Sequence, residues 1–156
     1  MNPHQEIIEK TAAIHRLSPN LVMAIVKTES AFRADAIRYE SHYKWICTPD
    51  KFNTALNISV ETEQELQKFS YGLMQIMGAV AREHGFVGSM HKLLRPDIGL
   101  EYGCRHFAKY MNRYNNDVKK SIAAYNGGPG AVLKNGKFSN EIYVAKVMRR
   151  FTQGVS

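Results

Sequence analysis

The residue with the most evident chemical capacity is Glu29, set in the stretch KTESAF between Lys27 and Phe32. At 100° per residue, Val22, Ile25, Val26, Glu29 and Phe32 share one face of a helix, while Lys27 points away. A carboxylate facing inward needs a partner or a task, because burying an unpaired charge is costly. Apolar neighbours and a nearby helix C-terminus both favour the neutral acid, so Glu29 suits the role of a general acid. Its neighbour Ser30 has no readable Ser-His-Asp arrangement around it and is expected to pack or cap locally. The six histidines (His4, His15, His42, His84, His91, His106) show no i,i+4 pairing, and Cys47 and Cys104 stand far apart. Neither a metal site nor a disulfide framework is indicated, and no cofactor is expected.

The elements that would position Glu29 read as helices. A first helix is expected over 5–16, with Ile7, Ile8 and Ala12 on one side and Leu17 at its end. Ser18 followed by Pro19 then starts the helix that carries Glu29. From Arg33 to Ser59 the periodicity fails, which predicts a long loop with room for a short β-hairpin around YKWICTPDKF. Thr62 and Glu65 fit a capping box before a short helix ending near Phe69, and a further helix is expected from about Leu73 to His84, stopped by Gly85. Asp97 can open a helix to about Tyr114, and Asp117 can open DVKKSIAAY, which NGGPG terminates. Ser139 or Asn140 opens a last helix striped by Tyr143, Val144, Val147, Met148 and Phe151. The expected fold class is all-α, six or seven helices with one irregular insertion, in a single domain over residues 1–156.

Composition sets the outer limits. A hydrophobic content of 44% with 22% charged residues suits a globular protein, and no apolar run is long enough to span a bilayer. The N-terminus MNPHQEIIEK lacks the apolar core of a signal peptide, so export by the general secretory route is not expected. Residues 105–156 hold ten Lys or Arg against Asp117 and Glu141, a net +8, whereas residues 1–104 hold eleven bases against twelve acids. A basic C-terminal third favours an anionic partner, or serves only as a solvated face. No helix-turn-helix or RNA-binding motif accompanies it, so nucleic acid is not the expected partner.

Three stretches exceed what a helical scaffold needs: ESAF at 29–32, GLMQ at 72–75 and AAYNGGPG at 123–130. With Tyr143-Val144 on the last helix, they occur in an order that resembles the soluble lytic transglycosylase domain, related in fold to goose-type lysozyme. The sequence departs from the family pattern by a long insertion around Tyr39 to Phe69, as in phage-encoded members, and by Ser139 and Asn140 where an acid often precedes the Tyr-Val pair.

The resemblance implies a lysozyme-like helical fold and cleavage of the β-1,4 bond between N-acetylmuramic acid and N-acetylglucosamine in peptidoglycan. Glu29 would be the catalytic acid and then base, giving a 1,6-anhydromuramoyl product without water. Ser70, Tyr71, Met74, Gln75, Tyr125, Asn126 and Tyr143 would contact substrate. Gln75 and Asn126 offer amides matched to acetamido and hydroxyl groups, the Met74 backbone could do likewise, Tyr125 would orient Glu29, and Tyr143 would line the floor. Tyr71 and Trp45 are candidates for stacking on sugar rings, with plain packing as the alternative.

The partners implied are peptidoglycan glycan strands and, through the basic C-terminal region, an anionic cell envelope, for a monomer without an integral membrane segment. The protein would be made in a host cytoplasm and act in the periplasm or wall, or travel in a virion. Two other readings stay open. One is a hydrolytic muramidase whose second acid comes from the insertion, where Asp35, Glu40, Glu61, Glu63 and Glu65 are available and Glu40 and Glu61 are the foremost candidates. The other is a non-catalytic wall-binding module.

Overall fold

The computed structural model describes residues 2–155. Helix α1, Gln5–Ile14, buries Ile8, Thr11 and Ala12 at spacings of three and four. Helix α2, Pro19–Ser30, begins at a proline, whose missing N–H costs nothing in a first turn. The Ser18 carbonyl accepts the amides of Leu21 and Val22, each at 3.1 Å. Among the described residues there are eight α-helices and one three-stranded sheet, which confirms a mainly helical fold with a short β element.

The chain divides into two compact units, one made of Met1–Thr28 with Cys104–Ser156 and the other of Glu29–Gly103. The first holds α1, most of α2, the C-terminal part of α6 (Pro96–Arg113), α7 (Val118–Gly127) and α8 (Glu141–Gln153). Asp117 caps α7 by accepting the Lys120 amide at 3.0 Å, and Gly128, at φ +74°, ends it. Helix α7 packs on α8, where Val144 and Val147 are buried and Tyr143, Met148 and Phe151 are half-buried. The expected stripe of the last helix is therefore the packing face.

The second unit departs from the helical expectation. Strands β1 (Ile37–Tyr39), β2 (Phe69–Tyr71) and β3 (Ile76–Met77) form an antiparallel sheet in that order, with Ile37 opposite Tyr71 and Tyr71 opposite Ile76. The hairpin expected at YKWICTPDKF is absent. Those residues form a loop running into helix α3, Asp50–Leu56, and the sheet pairs β1 with β2 across the whole insertion. The helix expected from Leu73 to His84 is also corrected, because GLMQ is the turn of the β2–β3 hairpin and only Gly78–Glu83 is helical, as α5. Helix α4, Val60–Gln67, is capped three residues earlier than the expected Thr62, with the Ser59 hydroxyl accepting the Thr62 amide at 3.0 Å. Tyr71, Ile76, Ala81, Phe86, Met90 and Leu93 form this unit's apolar core.

Beside that core lies a buried ion pair. Arg82 donates to Glu63 through Nε at 2.7 Å and Nη2 at 3.1 Å, and both side chains are 0% exposed. The remaining Arg82 nitrogen donates to the carbonyls of Phe86 and Gly88, so all three guanidinium nitrogens are engaged. Gln67 donates to Glu63 at 3.0 Å and makes a two-way contact with the Cys47 backbone, accepting its N–H at 2.7 Å and donating to its carbonyl at 2.9 Å. Phe52 of α3 covers the guanidinium, 4.4 Å from its ring centroid. The insertion is thus tied to α4 and α5 by a polar network in which each charge is matched.

Such a pair is expensive to break rather than a large net gain. Arg82→Ala leaves the Glu63 carboxylate buried without its cation and is expected to destabilise the protein by about 3–5 kcal/mol. Replacing both residues with methionine should recover most of that loss. Urea unfolding of the two variants beside the wild type checks this; an Arg82→Ala midpoint equal to wild type would contradict it.

Candidate active site

Glu29 is the next-to-last residue of α2 and is half-buried above the fully buried Val22, Ile25 and Val26. The helix stops abruptly after it. Ala31 and Phe32 both adopt left-handed backbone, φ +52° and +65°, a conformation costing roughly 1–2 kcal/mol per non-glycine residue. Phe32 therefore lies beyond the helix rather than extending its apolar stripe, which is a correction to the periodic reading.

The helix end is fixed by the residue next to Glu29. The buried Ser30 hydroxyl donates to the Leu73 carbonyl at 2.8 Å, so Ser30 packs inward as expected and also ties ESAF to GLMQ. The GLMQ turn is itself closely specified. Gly72 sits at φ +71°, its amide donates to the Ala36 carbonyl at 2.7 Å, and a Cβ there would lie 2.8 Å from the Leu93 carbonyl oxygen. Gln75, at φ +49°, donates through Nε2 to the carbonyls of Ala36 and Gly72 at 3.1 and 3.0 Å. Its Oε1 accepts from the Ser70 hydroxyl at 2.9 Å.

These contacts change the part assigned to several residues. The Gln75 amide and the Ser70 hydroxyl hold the turn together, so their polar groups are engaged with the protein itself. Tyr71 is 2% exposed and donates its hydroxyl to the Leu66 carbonyl at 2.7 Å; burial holds its phenol well above the ordinary range. Tyr71 is thus a core residue and not a stacking platform. Met74 is 0% exposed and packs where a Cβ on Gly103 would lie 2.6 Å from its sulfur, so its side chain belongs to the core.

The insertion's acids are largely committed to cations. Glu40 pairs with Arg38, Asp35 with Arg33, Glu63 with Arg82 and Glu65 with Lys68. Glu61 lies exposed in the first turn of α4, where an acid complements the helix dipole.

In the first unit, Tyr125 is half-buried, with its ring 5.6 Å from that of His106 and 5.8 Å from that of Phe107. Asn126 is exposed, and its Oδ1 accepts from Asn140 Nδ2 at 2.9 Å. Asn140 also donates to the Ala123 carbonyl at 3.0 Å. It had been read only as a helix opener, yet its side chain makes no cap and turns back to α7 instead. With Asn126 Oδ1 so engaged, the amide nitrogen of Asn126 is the group left to face outward. Gly127 permits this approach, since a Cβ there would meet Ala131 at 2.9 Å and Asn140 at 3.2 Å. Tyr143 is half-buried in the first turn of α8.

Charge follows the two units. Met1–Thr28 with Cys104–Ser156 carries thirteen Lys or Arg against four acids, a net +9, and Glu29–Gly103 carries eight against ten, a net −2. Ten of those thirteen bases are exposed. The basic field therefore includes Lys10, Arg16 and Lys27 besides the C-terminal third.

Comparison with solved structures gives the same fold. The lytic transglycosylase Slt of Pseudomonas aeruginosa, determined as an inactive mutant, aligns with a TM-score of 0.62 at 22% identity over 98% of this chain. The 70 kDa soluble lytic transglycosylase SLT70 of Escherichia coli aligns with a TM-score of 0.59 at 18% identity over 99% of this chain. This chain spans 22% and 21% of those longer proteins. The sequence itself matches the Transglycosylase SLT domain over residues 6–143, a span that contains ESAF, GLMQ, AAYNGGPG and Tyr143 and runs through both structural units, and the chain belongs to that family.

Proposed function

We propose that the protein is a peptidoglycan lytic transglycosylase in which Glu29 is the only carboxylate required for bond cleavage. The observation that carries this reading is the placement of Glu29 at the end of α2, fixed through the buried Ser30–Leu73 hydrogen bond to the GLMQ turn. The negative end of the helix dipole and partial burial both favour a neutral carboxyl that can donate a proton. Residues 1–156 would act as one catalytic domain, a view supported by a family match running through both units.

The chemistry follows from a single acid. Protonated Glu29 donates to the glycosidic oxygen between N-acetylmuramic acid and N-acetylglucosamine as the C1–O bond breaks. The substrate's acetamido carbonyl stabilises the developing charge at C1, a recognised alternative to a second carboxylate. The Glu29 carboxylate then takes the proton from the muramoyl C6 hydroxyl, and that oxygen bonds to C1 to close the 1,6-anhydro ring. No water enters, and Glu29 ends protonated as it began. Four of the five candidate second acids, all but Glu61, already have cation partners, which favours this reading over a hydrolase using one of them.

Asn126 offers an exposed amide to the sugar groups, and Tyr125, Tyr143 and the Met74 backbone are further proposed substrate contacts. Ser70, Tyr71 and Gln75 contribute by building the turn. The cationic first unit would hold the enzyme to the anionic envelope, and the long insertion suits a phage-encoded enzyme for host-wall degradation.

Glu29→Gln should lower the rate of sacculus clearing by roughly 10²–10⁴-fold, the usual worth of a general acid. Pelleting with sacculi should remain at wild-type level; clearing by this variant at the wild-type rate would refute the assignment. Ser30→Ala leaves the buried Leu73 carbonyl without its donor and should cost about 1–3 kcal/mol. In that variant kcat is expected to fall more than KM rises, as steady-state kinetics on soluble glycan would show. Sacculus binding by the wild type should weaken from low to high salt, because exposed charges are screened; a flat profile would exclude the electrostatic tether.

A further inference from the structure

The loop 40–48 ends in a feature that the proposed chemistry does not use. Trp45, the only tryptophan of the chain, is 70% exposed. The Tyr43 ring meets it edge-on, with centroids 5.5 Å apart and planes at 72°. An exposed indole on a floppy loop would be unremarkable, but this loop is tethered at both ends. The Glu40 amide donates to the Lys68 carbonyl at 2.9 Å. Two residues past the indole, the Cys47 backbone is held in both directions by the buried Gln67, which belongs to the Glu63–Arg82 network.

We infer that Trp45, set by Tyr43, is a stacking platform for a sugar ring of the peptidoglycan strand, an additional glycan subsite on the insertion. The inference rests on the reading of the protein as a peptidoglycan-cleaving enzyme and adds a residue to its substrate contacts. A pyranose ring has an apolar C–H face and a polar hydroxyl rim. The loop has a matching composition: its exposed indole lies among Ser41, His42, Lys44 and Thr48 in the sequence, all polar and all exposed. A docking segment for an apolar protein surface would be apolar along its length, whereas these exposed neighbours are polar. Lys44, the exposed residue before the indole in the chain, adds a cation to the loop, suited to the carboxylates of stem peptides on muramic acid. Fixing the loop beforehand lowers the ordering cost of binding, which is the return on the buried network beneath it.

Because Trp45 is the sole tryptophan, its emission reports directly on the site. In the full-length Glu29→Gln protein, soluble uncrosslinked glycan strands should shift or quench the emission saturably, with the same midpoint as calorimetric binding. Trp45→Ala should weaken calorimetric binding by roughly tenfold, and Trp45→Phe by less, as expected for loss of one aromatic contact. Circular dichroism should show both variants folded, since the side chain is largely exposed. Glycan binding seen by calorimetry with silent tryptophan emission and unchanged Trp45→Ala affinity would overturn the subsite and leave the Glu29 assignment standing. No glycan binding at all would overturn both. Emission that varies with protein concentration alone, and not with glycan, would mark a protein–protein contact and also overturn the subsite.

Discussion

The hydrogen bond from Ser30 to the Leu73 carbonyl is the constraint on which the acid's position depends. A general acid must be held within a few tenths of an ångström of its target, and a residue at a fraying helix end would not be. Here the end is made definite in two ways. Two consecutive left-handed residues stop the helix, and the last helical side chain is bonded to a turn that has its own rigid supports. The strain of Ala31 and Phe32 is tolerated because that surrounding structure over-determines it.

The turn in turn depends on residues whose types suggest recognition but whose contacts are internal. Ala36 supplies one carbonyl that accepts from both the Gly72 amide and the Gln75 side chain, and Gln75 accepts from Ser70. A chain of short contacts therefore runs from Ala36, just before β1, through GLMQ to Ser30 beside the acid. The insertion is joined to the same unit by a separate device, the Glu63–Arg82–Gln67 network, which fixes the loop carrying Trp45.

The sequence revealed most where the interaction is local. Helix α7 was legible because Asp117 and Gly128 mark its ends, and α8 because its apolar residues recur at spacings of three and four. Helix α3 was not, since it buries no residue and so carries no stripe. GLMQ read as helical because its side chains allow a helix. What overrides that preference is the Gly72 amide bond to Ala36 and the packing against Leu93, which no local pattern encodes. The pairing of Ile37 with Tyr71 is hidden for the same reason. At the site, Glu29 stood out as an acid in an apolar stripe, whereas Asn140 did not, because its partners Ala123 and Asn126 lie on another helix. The internal bonds of Gln75 and Tyr71 were equally hidden, since an amide or a phenol suggests a sugar ligand by type and its partners Ala36 and Leu66 carry no local signal.

The central claim is that one carboxylate serves as acid and then as base, with no water consumed. Mass spectrometry of muropeptides released by the wild-type protein tests it most directly. The account predicts disaccharide products ending in 1,6-anhydromuramic acid, each one water lighter than its hydrolysed counterpart and resistant to borohydride reduction. Products carrying reducible muramic acid ends would contradict it and would require a water-activating second acid.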